Sequence, residues 1–207
     1  MDTKLIFTGP DHTENWIWND WYRNGVNYRY YTWQLVFNLL QQRHDPSAVI
    51  LETGCQRHEN DIGDGVSTSL FCRYIEQFGG ELDTVDISPR NIKEAEKWTA
   101  KYNIKKEFHC MDSLEFIKQY NKKPDLIYLD SFDYPPGQGT SKHDASQQHN
   151  LTELKLIYNQ LKENTIVLLD DNQLPGGGKP RLAKEFLLEN GWTCLLDWQQ
   201  SAWIRSL

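Results

Sequence analysis

One stretch of this chain, residues 48 to 86, limits what the whole can fold into. It opens on an apolar run, Ala48-Val49-Ile50-Leu51, and passes through Glu52-Thr53-Gly54 into a polar loop that closes on Gly63-Asp64-Gly65. An amphipathic segment follows from about Ser67, and a second apolar run ends at Asp86. Strand, glycine loop, helix, strand, acid is the order of a parallel βαβ unit. Such a unit leaves glycines and backbone N–H groups at the carboxyl end of its first strand, where a nucleotide-like ligand can come close. The acid that ends the second strand is placed to accept hydrogen bonds from ribose hydroxyls. The glycine after Gly54 is Gly63, so the spacing is not G-x-G-x-x-G, and an adenosine-type site is read first and a dinucleotide site second.

The same alternation continues along the chain. A helix from about Ser67 to Phe78 stops at Gly79-Gly80, Leu82 to Asp86 is the second strand, and Pro89 stands just inside a helix running to about Tyr102. Glu107 to Cys110 is a short strand, and Asp112-Ser113 opens the next helix, where a cap and a contact with an adenine amino group are compatible roles. Pro124 to Asp130 is an apolar strand ending in an acid, followed by a polar loop from Ser131 to about Ala145 and a helix over 146 to 161. Thr165 to Leu169 is a fifth buried strand, followed by Asp170-Asp171-Asn172 and a triple glycine, Gly176-Gly177-Gly178, a hinge or a binding turn that reads most simply as a flexible connection; Lys179 after it reads first as solvated and second as meeting an anionic substrate. A helix from Arg181 to about Glu189 and two tightly joined strands, Trp192 to Trp198 and Ala202 to Arg205, complete the pattern. The expected fold is α/β: a Rossmann-like three-layer sandwich on a mainly parallel seven-stranded sheet with a C-terminal antiparallel hairpin.

Residues 1–47 form an aromatic-rich segment of their own, with Trp16, Trp18, Trp21, Tyr22, Tyr28, Tyr30, Tyr31 and Trp33 set among polar residues, and 48–207 form the main domain. These aromatics either pack a preliminary helix onto the sheet or make a lid over the site. A length of 207 residues suits one such domain with a substantial core. The net charge of -7 argues against a phosphate-binding surface, so nucleic acid is not an expected partner. The four cysteines form no CxxC pair, which favours reduced thiols. No long apolar run follows the amino terminus, so a cytoplasmic protein without a membrane partner is expected, acting on a small-molecule substrate as a monomer or a homodimer.

Chemistry should gather where parallel strands end. Glu52, Asp86, Asp130 and the Asp170-Asp171 pair all fall at such ends, and carboxylates brought together call for ligand hydroxyls, amines or a metal ion among them. Around Asp130, Asp171 and Asn172 the oxygen-only donor set suits Mg²⁺, Mn²⁺ or Ca²⁺, whereas the same acids also serve elsewhere as helix caps and loop anchors.

In these residues the chain resembles the class I S-adenosylmethionine-dependent methyltransferases. Val49-Ile50-Leu51-Glu52-Thr53-Gly54-Cys55 resembles that family's first motif, Asp86 its ribose-binding acid and Asp112 the acid near the adenine. Leu129-Asp130 and Leu168-Leu169-Asp170-Asp171-Asn172 resemble the cation-dependent, catechol-type O-methyltransferases, which hold a metal with one aspartate after strand four and an Asp-Asn pair after strand five. The resemblance implies S-adenosylmethionine and a divalent cation as cofactors. It assigns Glu52, Gly54, Gly65, Ser67, Asp86, Asp112, Ser113 and Asp130 to the S-adenosylmethionine site, and Asp130, Asp171 and Asn172, with Asp170 as the alternative to Asp171, to the metal. The catechol-type enzymes carry a lysine base three residues after the first metal aspartate; here that residue is Asp133, which leaves Asp133 or a loop histidine, His143 or His149, to take the proton. The expected reaction is O-methylation of a small, sugar-like hydroxylated acceptor. The alternatives are an NAD-dependent oxidoreductase, disfavoured by the missing dinucleotide fingerprint, and a non-catalytic nucleoside-binding domain of the same fold.

Overall fold

A computed structural model describes residues 29–43, 47–58, 66–134 and 139–205. Trp16, Trp18, Trp21, Tyr22, Tyr28 and the Gly63-Asp64-Gly65 turn lie outside the described residues. The described chain runs α1 (Arg29–Arg43), β1 (Val49–Thr53), α2 (Ser67–Phe78), β2 (Glu81–Asp86), α3 (Pro89–Thr99), β3 (Lys105–Cys110), α4 (Ser113–Gln119) and β4 (Leu126–Leu129). It continues with α5 (Gly139–Ile157), β5 (Ile166–Leu169), α6 (Arg181–Glu189), β6 (Thr193–Asp197) and β7 (Ser201–Ile204). Short 3₁₀ turns stand at Tyr158–Gln160 and Pro175–Gly177.

The seven strands form one sheet in the order β3-β2-β1-β4-β5-β7-β6. β1 to β5 are parallel, and β7 is antiparallel to both β5 and β6, which makes the expected hairpin. The central strands are covered on both faces, so each alternates between two cores. Ile50, Leu126, Tyr128, Ile166 and Leu168 pack toward α1 and α2. Leu51, Ile127, Leu129, Val167 and Leu169 pack toward α4, α5 and α6. These are the three expected layers.

Of the described aromatics in the amino-terminal segment, Trp33 follows the packing reading and Tyr31 stays at the surface. Trp33 is fully buried, with its ring 5.4 Å from Phe71 and 5.3 Å from Tyr128, so it seals α1 onto the sheet. Tyr31 is exposed and meets Trp198 edge-on at 5.8 Å.

α5 starts seven residues before the predicted 146, which shortens the predicted loop. Its first residues are polar and carry no apolar period, so long-range contacts hold them: the His143 ring stacks on Tyr134 at 4.0 Å, and Ser146 Oγ donates to the Phe132 carbonyl at 3.0 Å. Among the described residues no helix is long and apolar enough to cross a membrane.

Candidate active site

The sheet order reverses direction between β1 and β4, and a cleft of about 510 Å³ opens there, at the carboxyl ends of the strands. Gly54 forms its floor. Its φ is +76°, and a Cβ there would stand 2.6 Å from the Asp130 carbonyl oxygen, so only glycine lets β1 leave the sheet this close to β4. Phe132 (φ 50°) and Asp171 (φ 64°), both on the cleft wall, are non-glycine residues in the left-handed region, and strain of this kind gathers at functional sites.

One half of the cleft carries Asp86, Ile87, Asp112, Ser113 and Phe132. Asp86 accepts from the Ser88 amide at 2.7 Å and from Asn91 Nδ2 at 3.2 Å, which fixes the carboxylate at the start of α3. Asp112 caps α4, accepting from the Leu114 and Glu115 amides at 2.9 and 3.2 Å. Ile87 is 70% exposed and Phe132 48% exposed, and both line the cleft; large apolar side chains left open beside fixed acids suit a flat ring bearing hydroxyls.

Glu52 lies behind the cleft and is wholly buried. Its carboxylate accepts from Ser67 Oγ and from the hydroxyls of Thr68 and Thr84 at 2.8 Å each. Burial pushes its pKa up to about 8 against these three donors. Ser67 is spent on Glu52 and does not line the cleft. Thr68 also accepts from the Gln56 amide at 2.9 Å, so the Glu52 cluster ties α2 to the loop after Gly54. Gly65 lies outside the described residues.

The other half of the cleft is a charge cluster. Asp170 is buried and accepts from Arg29 Nε at 3.2 Å and Nη2 at 3.1 Å, from Gln200 Nε2 at 3.0 Å, and from the Tyr128 hydroxyl. Burial alone would raise its pKa, but Arg29 and Tyr128 together hold it below the usual carboxylate range. Asp130 accepts from Lys179 Nζ at 2.5 Å, and its Oδ2 lies 3.1 Å from the Tyr128 hydroxyl, whose one proton is given to Asp170. Burial pushes Asp130 up to about 7, with Lys179 opposing and Asp170 and Asp171 adding to it. Lys179 is 1% exposed and also stands 3.3 Å from Asp171 Oδ2, which overturns the expectation of a solvated lysine. Asn172 does not join Asp130 and Asp171: its Nδ2 donates to Asp197 at 2.8 Å, and its side chain is absent from the cleft wall. The described residues that group as metal donors, Asp83, Glu107 and His109, lie on β2 and β3 outside the cleft, where Lys122 already holds Asp83 at 2.7 Å.

His149 and Asp133 both line the cleft, in different settings. His149 Nε2 is 3.0 Å from Ser113 Oγ and 3.6 Å from the buried Glu153, which also accepts from Ser131 at 2.6 Å. Asp133 is exposed and paired with Arg57 at 3.3 Å. Arg29, Tyr128, Gln200 and Glu153 carry no sequence signal, since each acts through a partner distant along the chain. Lys179 was visible only as a cation after a glycine run.

The family model described as "Methyltransferase domain" matches residues 61–172, more than half of the chain. The chain belongs to the methyltransferase domain family. Solved methyltransferases share its fold. The Podospora anserina methyltransferase PaMTH1, solved with S-adenosylhomocysteine (SAH), is 16% identical at a TM-score of 0.58, over 92% of this chain and 86% of that one. A ribosomal protein L11 methylase from Lactobacillus delbrueckii subsp. bulgaricus is 16% identical at 0.54, over 86% and 80%. A SAM-dependent methyltransferase from Thiobacillus denitrificans, solved with S-adenosylhomocysteine, is 14% identical at 0.51, over 87% and 71%. No curated protein matches the sequence. At these identities the structural likeness bears on the fold of this methyltransferase, and the site has to be read from its own residues.

Proposed function

We propose that this methyltransferase binds S-adenosylmethionine along the carboxyl ends of β1, β2 and β3 and transfers its methyl group to an oxygen of a small hydroxylated acceptor. The observation that carries the reading is the pairing, in one cleft, of Asp86 fixed at the end of β2 with the open apolar side chains Ile87 and Phe132. Asp86 accepts from the ribose hydroxyls, Ile87 and Phe132 enclose the adenine, and Ser113 meets its edge. Similar structures solved with S-adenosylhomocysteine agree with this choice of cofactor.

The nucleoside half then directs the sulfonium toward Gly54 and the charge cluster. Three carboxyl groups, Asp130, Asp170 and Asp171, face two cations, Arg29 and Lys179, so the cluster carries an excess negative charge that favours a cationic cofactor once Asp130, pushed up to about 7, is ionised. The methyl carbon passes from sulfur to the acceptor oxygen in line, the sulfur keeps the electron pair of the broken bond, and the acceptor proton goes to a carboxylate. Asp130 belongs to the charge cluster, the exposed Asp133 lines the cleft beside Arg57, and His149 is bonded to Ser113. Holding the reactants in line is the main contribution, and a divalent cation does not fit the described donor set, because Lys179 already engages Asp130 and Asp171 and Asn172 is turned to Asp197.

The test is transfer of a labelled methyl group from S-adenosylmethionine to a panel of sugars, catechols and hydroxy acids. Label on an acceptor oxygen with release of S-adenosylhomocysteine is the expected result. Label on nitrogen alone would keep the enzyme class and overturn the oxygen acceptor.

A further inference from the structure

We propose that Lys179 is the built-in cation of this active site: its ammonium takes the place between Asp130 and Asp171 that a divalent ion would need, and methyl transfer here runs without a metal. Nζ is 2.5 Å from Asp130 Oδ1 and 3.3 Å from Asp171 Oδ2, so any ion shared by these two oxygens would stand against a positive charge. Two further observations show that the lysine is delivered there by the fold.

The first is the loop. After β5 the chain turns through Pro175–Gly177, and Gly178 (φ +71°) folds back until a Cβ would stand 1.9 Å from the Asp171 carbonyl oxygen. No other residue permits that approach. Gln147 on α5 fixes the turn from outside, donating to the Gly178 carbonyl at 2.9 Å and accepting from Arg181 at 2.8 Å. The triple glycine is therefore a tight turn that places the next residue under the cleft, and the expectation of a flexible connection does not hold.

The second is burial. A lysine at 1% exposure persists only where its charge is paired, and here Asp130 and Asp171 supply that pairing. Lys179 itself does not line the cleft. It is a positioning residue: its ammonium bridges the two carboxylates and fixes where they stand beside the cleft.

The chemical half of this inference rests on the methyl-transfer reading, whereas its structural half is tested without cofactor. The full chain, as wild type, Lys179→Met and Lys179→Met/Asp171→Asn, is titrated with Mn²⁺ and free ion is read by electron paramagnetic resonance. Wild type should bind no Mn²⁺ that depends on Asp171, Lys179→Met should gain one Asp171-dependent equivalent, and the double variant should lose it. Binding to wild type that Asp171→Asn abolishes would overturn the proposal, as would a folded Lys179→Met that gains no ion. If Lys179→Met does not fold, the comparison of wild type with Asp171→Asn decides alone. With an acceptor in hand, wild-type turnover should be unchanged by EDTA, and loss of turnover restored by Mg²⁺ would overturn the metal-free reaction while leaving the methyltransferase reading intact.

Discussion

Replacing Glu52 with Gln should remove the pH dependence that this one carboxyl imposes on folding. The side chain is wholly buried among Ser67, Thr68 and Thr84, and burial raises its pKa from the ordinary 4.5 to about 8. Between those two values the folded chain keeps a proton that the unfolded chain has released. The group's contribution to stability is therefore fully present below pH 4.5, falls as pH rises, and is lost above about 8. At about 1.36 kcal/mol per pH unit the ceiling on that loss is about 5 kcal/mol. Glutamine has the same shape and no charge, and the three hydroxyls can turn to meet its amide. Urea unfolding of both proteins, followed by tryptophan fluorescence at pH 5, 7 and 9, gives the difference in stability at each pH and cancels the other titrating groups. The variant should gain several kcal/mol on wild type between pH 5 and 9. A constant difference would refute the reasoning, because it would mean that Glu52 is ionised at pH 5 in the fold as it is in the unfolded chain.

Other expectations follow from the same geometry. Gly54→Ala should cost about 1–3 kcal/mol from the positive φ alone, with further loss from the 2.6 Å approach to Asp130, and should abolish S-adenosylhomocysteine binding measured by calorimetry. Arg29→Met leaves Asp170 buried without its guanidinium, so thermal or urea unfolding should show a loss of about 3–5 kcal/mol. Asp130→Asn should lower methyl transfer by about 10²-fold or more if Asp130 takes the acceptor proton, whereas Asp133→Asn, at an exposed position, should then have a small effect; the reverse order would assign the proton to Asp133.

Much of the fold was legible in the sequence because strands buried on both faces read as continuous apolar runs, as in Leu126–Leu129 and Ile166–Leu169. The ends of the parallel strands brought Asp86, Asp130 and Asp171 to one edge, where they do line a single cleft, whereas Glu52 and Asp170 of the same set are buried away from its wall. Legibility failed where a residue's environment comes from elsewhere in the chain. Nothing local marks Arg29 as the partner of Asp170, 141 positions away. Ser67 follows the glycine loop as a cofactor contact would, yet it turns inward to Glu52. Asn172 follows two acids and looks like a third ligand, but β6 runs close by and offers Asp197. Lys179 was the largest miss: the glycines before it suggest freedom, whereas their positive φ angles force a turn that buries it.

The most direct measurement is calorimetric titration of wild type and Asp86→Ala with S-adenosylhomocysteine and, separately, with NAD. The account predicts micromolar S-adenosylhomocysteine binding to wild type, at least about tenfold weaker binding to the variant as charged hydrogen bonds to ribose are lost, and no NAD binding. Binding of NAD in its place, or S-adenosylhomocysteine binding unaffected by loss of Asp86, would contradict the account.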